Sequence, residues 1–296
     1  MEPIPSPVAI FQAASRKKCL EHGLVLQALG IPFEVRQVPG GFGVLVRPEH
    51  VAAAHEELER YREENAGWPP KYEPPPIVSR GVGAAAAYAA ILVLMYPIGR
   101  HGVFGVNFWT AGKMHAGGVV NGEWWRTVTS LTLHGDVSHL AGNIVFGCAF
   151  AVLAGHTLGA GLTWFCIVLA GGLGNLVNAY IQSPGHTAIG ASTAVFGALG
   201  LLSAFEWMRR HALNYPPMRR FAPLLGGALL LGFLGTSGDN TDVMAHVTGL
   251  LAGVVIGVIA GKTRLPQHLG GTDQIVLGAL ALAAVVASWS AALAFA

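Results

Sequence analysis

The chain has 296 residues, of which 52% are hydrophobic and only 11% charged, with a formal net charge of +2 and 40 glycines. Soluble domains carry about 25% charged residues, so this composition points to a membrane protein. So small a net charge gives no reason to expect nucleic acid as a partner, and the three cysteines, Cys19, Cys148 and Cys166, form neither a disulfide framework nor a metal-ligand spacing.

The charges are segregated. Residues 1–80 hold 19 of the 34 Asp, Glu, Lys and Arg, and the other 216 residues hold 15. A small polar domain, 1–68, is therefore expected ahead of a large membrane domain. Within it, residues 15–29 show helical spacing and stop at Gly30. "PFEVRQV" and "FGVLV" read as strands joined at Pro39-Gly40-Gly41, with a shorter strand near Val8–Phe11. The helix predicted from Pro48 to Asn65 completes an α/β unit. Its faces suit either a cytoplasmic partner or a plain folded cap. A stiff proline-rich linker, 69–80, follows.

Seven apolar stretches then have spanning length: 81–98, 138–157, 160–180, 190–207, 221–236, 243–260 and 274–296. The fourth and fifth are short, which suggests shielding by protein rather than lipid. Arg209, Arg210, Arg219 and Arg220 crowd one connecting loop, and Lys262 and Arg264 the loop two spans later. By the positive-inside rule both loops are cytoplasmic. The same count places the N-terminal domain in the cytoplasm and the C-terminus outside. The loop 99–137 is too long for a simple connector. Its Trp124 and Trp125 suit the headgroup level, so a partly embedded, non-spanning segment is expected there.

With this topology the second, fourth and sixth stretches all run inward from the outer face. His139 and Asn143 stand near the start of the second, Ser192 at the start of the fourth and His246 near the start of the sixth. Singly, each has an ordinary reading. A serine at a helix start caps or packs, a boundary histidine sits at the interface, and an asparagine holds helices together. Together at one depth they form a functional hypothesis, because polar groups inside a membrane are costly. Gly249, Gly253 and Gly257 recur every fourth residue, a stripe that admits a close helix neighbour. Phe196 is one turn after Ser192 and is expected to stack on the His246 ring.

The chemistry these groups suit is acyl transfer. His246 would take the Ser192 proton as general base, then protonate the leaving amine. The Ser192 N–H, the His139 side chain and the Asn143 amide would serve a developing oxyanion. Asp242, four residues before His246, is read chiefly as a helix cap.

Three segments resemble the rhomboid family of intramembrane serine proteases. "GEWWRTVTSLTLHGDVSHLAGN" is similar to its tryptophan-arginine motif and histidine-x4-histidine-x3-asparagine pattern. "GASTAVFG" resembles its glycine-x-serine motif, and "AHVTGLLAG" its histidine-bearing sixth helix. The resemblance covers about 81–260. It implies an all-α polytopic core of six helices plus a seventh, 261–296 with its preceding loop, behind the small α/β domain. It implies Ser192 as nucleophile, His246 as base, and His139 and Asn143 on the oxyanion side. It also implies supporting roles for Gly190, Phe196, Arg126 and His134. Transmembrane proteins cut near the outer face would be the substrates, in contact with membrane lipid. No cofactor or metal is implied, and the location would be a bacterial inner (plasma) membrane. Thr193 departs from the glycine common after the serine, and would narrow the cleft or shift the serine. The fifth span or the loop 236–242 is the expected gate. Two other readings stand beside this one. One is a non-catalytic rhomboid-like binder of membrane helices. The other is a metal enzyme using His134, His139 and His246, which lacks an H-E-x-x-H motif.

Overall fold

The structure, a computed structural model, describes residues 6–67, 81–103, 105–235 and 241–295. The expected proline-rich linker 69–80 falls outside these residues, as do positions 236–240 of the expected gate loop. The chain divides into two compact units, Met1–Glu73 and Pro74–Ala296.

In the first unit, β1 (Val8–Ala13), β2 (Phe33–Val38) and β3 (Gly41–Val46) form an antiparallel sheet in the order β1-β3-β2. Val38 pairs with Gly41, so the hairpin loop is Pro39-Gly40 alone. Gly40 takes φ +88°, open to glycine at little cost. α1 (Arg16–Ala28) and α2 (Val51–Glu64) close the core through Cys19, Leu26, Ala54 and Leu58 against Val44 and Val46. α2 starts three residues later than the sequence suggests, because Pro48–His50 forms a tighter turn.

Among the described residues the second unit holds seven long helices: α3 (Val82–His101), α7 (Val137–Leu158), α8 (Ala160–Ile181), α9 (Ser192–Ala212), α10 (Pro217–Leu234), α11 (Val243–Lys262) and α12 (Gly271–Ala294). Of these α3, α7, α8, α11 and α12 are long and apolar enough to cross a membrane by themselves. α9 and α10 fall short because charge occupies their ends. Glu206, Arg209 and Arg210 lie in the last turns of α9, and Arg219 and Arg220 in the first turn of α10. The protein is an integral membrane protein.

Shielding by protein holds for one of these two helices only. Every residue from Thr193 to Leu201 of α9 is buried, whereas Gly227 alone is buried in α10. The short fifth stretch is therefore not protected by its neighbours, contrary to the sequence expectation. It has too few large side chains turned inward to be enclosed.

Beyond the end of α3, the described residues of the loop 99–137 form no long helix. They fold as α4 (Phe108–Gly112), β4 (Met114–His115), α5 (Ala116–Val120) and α6 (Arg126–Thr129). β4 pairs with β5 (Thr187–Ala188), just ahead of α9. Met114, Ala116 and Val119 pack against Ala179 of α8, and the Asn175 amide of α8 donates to the Thr127 carbonyl at 2.9 Å. α12 adds a second brace. Trp289 Nε1 donates to Thr132 Oγ1 at 3.1 Å, and Phe295 stacks on the buried Trp125. The buried Asn175 amide and Thr132 hydroxyl thus find partners within the protein.

Candidate active site

α9 and α11 meet backbone to backbone. A Cβ added at Gly249, Gly253 or Gly257 would collide with the carbonyl oxygen of Thr193, Gly197 or Leu201 respectively. The repeat of four on α11 thus matches a repeat of four on α9. This contact sets the two helix heads side by side. Thr193 follows Ser192 directly, and Gly249 lies three residues after His246, on the same face.

Ser192 opens α9, with Ala191 in the cap position. The N–H groups of a first helical turn have no carbonyl partner within the helix, so the Ser192 amide points toward any group at the helix head. Gly190 turns the chain into that head with φ +118°, and its N–H donates to the Ser130 carbonyl at 3.0 Å. A Cβ at Gly190 would lie 2.6 Å from His139 Nε2 and 3.6 Å from Ser192 Oγ. The His139 ring and the serine hydroxyl therefore flank the same point, and only glycine leaves it open.

His246 is buried against Phe196, with ring centroids 4.5 Å apart and planes tilted by 34°. The contact is the expected pair, tilted rather than stacked flat. His246 Nδ1 lies 2.8 Å from the Gly235 carbonyl at the end of α10. A carbonyl only accepts, so the ring proton is assigned to Nδ1 and Nε2 keeps its lone pair. That is the tautomer a general base needs. No sequence motif marked Gly235, because it acts through a main-chain oxygen.

Asn143 is buried on α7, one turn below His139. Its Nδ2 donates to the His139 carbonyl at 3.0 Å, while its own carbonyl receives the Tyr88 hydroxyl at 3.0 Å. His134 is fully buried ahead of α7, and its Nε2 accepts the Ala191 N–H at 3.4 Å. Burial, then the neighbouring His139, push the His134 pKa down to about 4, so the ring is neutral and able to accept. Arg126 holds the loop 99–137 together. Its Nη1 donates to the carbonyls of Thr110 and Lys113 at 2.8 and 3.0 Å, and its Nε pairs with Glu123.

Thr193 does not narrow the cleft. Its methyl group points into the seam where Gly174 of α8 and Gly249 of α11 leave room for it. Asp242 is not aimed at the His246 ring. Its Oδ1 caps α11 by accepting the Ala245 N–H at 3.0 Å, and its Oδ2 meets Asn178 Nδ2 at 2.8 Å and His186 Nε2 at 2.7 Å. Burial would raise the Asp242 pKa, but these three hydrogen bonds outweigh it and hold the carboxyl below its ordinary value.

The family model for the Rhomboid domain matches residues 121–263, which include all of these polar groups except Tyr88 and the Thr110 and Lys113 carbonyls. YdcA of Bacillus subtilis is 31% identical over 150 residues, 50% of this chain and 72% of YdcA. The rhomboid protease GluP of the same organism is 29% identical over 173 residues, 56% of this chain but 31% of GluP. Inactive rhomboid protein 1 of Drosophila melanogaster is 29% identical over 143 residues, 48% of this chain and 10% of that protein.

Proposed function

The chain belongs to the rhomboid family, and from that premise we propose that it is an active intramembrane serine endopeptidase with Ser192 and His246 as its dyad. The supporting observation is the bond from His246 Nδ1 to the Gly235 carbonyl. It leaves Nε2 as the basic nitrogen, on a helix whose glycine face touches the residue next to the serine.

In this reading His246 Nε2 takes the Ser192 hydroxyl proton as Oγ attacks the scissile carbonyl. The oxyanion receives the Ser192 N–H at the helix head, with His139 and the second amide hydrogen of Asn143 beside it. The imidazolium then protonates the leaving amine, giving an acyl-enzyme. Water, activated by the same nitrogen, releases the product. His134, Gly190, Phe196 and Arg126 hold these groups in place, and no cofactor takes part.

The substrates would be transmembrane proteins whose helix unwinds near the outer face, because a helical peptide bond is hidden by its own hydrogen bonds. Residues that weaken a helix would favour cutting. α10, which with Gly227 alone buried is less enclosed than α3 or α12, is the proposed gate. The chain would lie in a bacterial plasma membrane among its lipids, with the first unit cytoplasmic and α12 ending outside.

Purified protein should label at Ser192 with a fluorophosphonate and cut a model transmembrane peptide. Ser192→Ala or His246→Ala should lower cleavage by at least about a thousandfold while the protein still inserts. An unlabelled, uncut outcome would instead favour a non-catalytic binder of membrane helices, a reading kept open by the similarity to an inactive relative.

A further inference from the structure

We propose that His186 and Asp242 are positioning residues, a clasp that fixes the segment carrying Ser192 against the head of the helix carrying His246. The inference rests on the function proposed above. Asp242 lies at the place where a third triad member would be sought, yet the imidazole it meets is His186, not His246.

The geometry assigns the carboxylate three partners on three elements. The Ala245 N–H belongs to the first turn of α11, Asn178 to α8, and His186 to the segment between α8 and β5. The Asp242 main-chain carbonyl also accepts the His246 N–H at 3.2 Å. Any tilt of Asp242 therefore moves the backbone of the base. His186 stands six residues before Ser192, and the chain between them is also held by β5 on β4, by the Gly190 N–H on the Ser130 carbonyl and by the Ala191 N–H on His134. Without His186 the segment loses its tie to α11 and keeps its ties to the loop 99–137, through Ser130, His134 and β4. Both clasp side chains are largely covered, at 25% and 15% exposure, so the bond is weakly screened. A nucleophile and base displaced by less than an ångström lose rate without losing substrate binding.

The experiment uses full-length protein in detergent, with a model transmembrane peptide and a fluorophosphonate probe. His186→Ala should lower kcat and the Ser192 labelling rate by about tenfold with KM unchanged. His186→Gln, which keeps a nitrogen donor at similar reach, should recover most of that loss. Asp242→Asn should lose about as much as His186→Ala, and the double variant no more than Asp242→Asn alone. Hydrogen exchange at residues 187–190 should quicken in His186→Ala and not in His186→Gln. Unchanged kcat in His186→Ala, equal losses in the Ala and Gln variants, or losses that multiply in the double variant would overturn the clasp alone. Absence of labelling in the wild-type protein would overturn the proposed function and this inference together.

Discussion

α9 and α10 are successive helices of 21 and 18 residues, yet their surroundings are opposite. α9 meets α8 and α11 through glycines, and at the α11 seam carbonyl oxygens are seated where side chains would otherwise be. α10 turns Leu225, Leu229 and Phe233 outward, each more than 60% exposed. A helix packed on its neighbours' backbone has no slack, because main chain cannot change rotamer. A helix held by few buried side chains is free to shift at low cost. Ser192, the proposed nucleophile, stands on the first kind. The carbonyl bonded to His246 stands at the end of the second, so movement of α10 would carry the Gly235 oxygen away from His246.

The contrast is broken most severely at the α9–α11 seam. Gly253→Ala places a methyl group on the Gly197 carbonyl and should destabilise the bundle by more than about 3 kcal/mol, read as lost folded yield or a collapsed thermal transition. Acid should attack the same side next. The folded protein keeps His134 neutral down to about pH 4, whereas the unfolded chain takes up a proton near 6.5. The unfolded state then binds more protons across that window, so stability is complete above pH 6.5 and falls toward pH 4, by about 3 kcal/mol. Thermal unfolding at stepped pH should show this slope, and His134→Gln should flatten it. The smallest effect belongs to α10. Gly226 has nothing within 4 Å of a built Cβ, so Gly226→Ala should leave the fold intact and stabilise it by up to about 1 kcal/mol. A large loss there would show that α10 is packed as tightly as α9.

Some of this was legible in the residue order. The seven long helices fall within a few residues of the apolar stretches, because length and hydropathy are local properties. The polar residues of the second, fourth and sixth stretches could be set at one depth by counting charges in the loops. The glycine stripe announced a close neighbour but not which one. The exposure of α10 was not legible, since hydropathy is alike for helices that face lipid and helices that face protein. The Thr193 methyl was equally open, because its destination depends on glycines of two other helices.

The sequence by itself determined where the chain becomes helical, which residues can ionise or donate, and which helix carries each of them. Tertiary structure alone decided that Gly235 orients His246 and that Asp242 serves His186. Every residue has a carbonyl, so a main-chain acceptor leaves no mark in the letters. A carboxylate can reach whichever donor packing brings near, and that choice exists only once the helices have met.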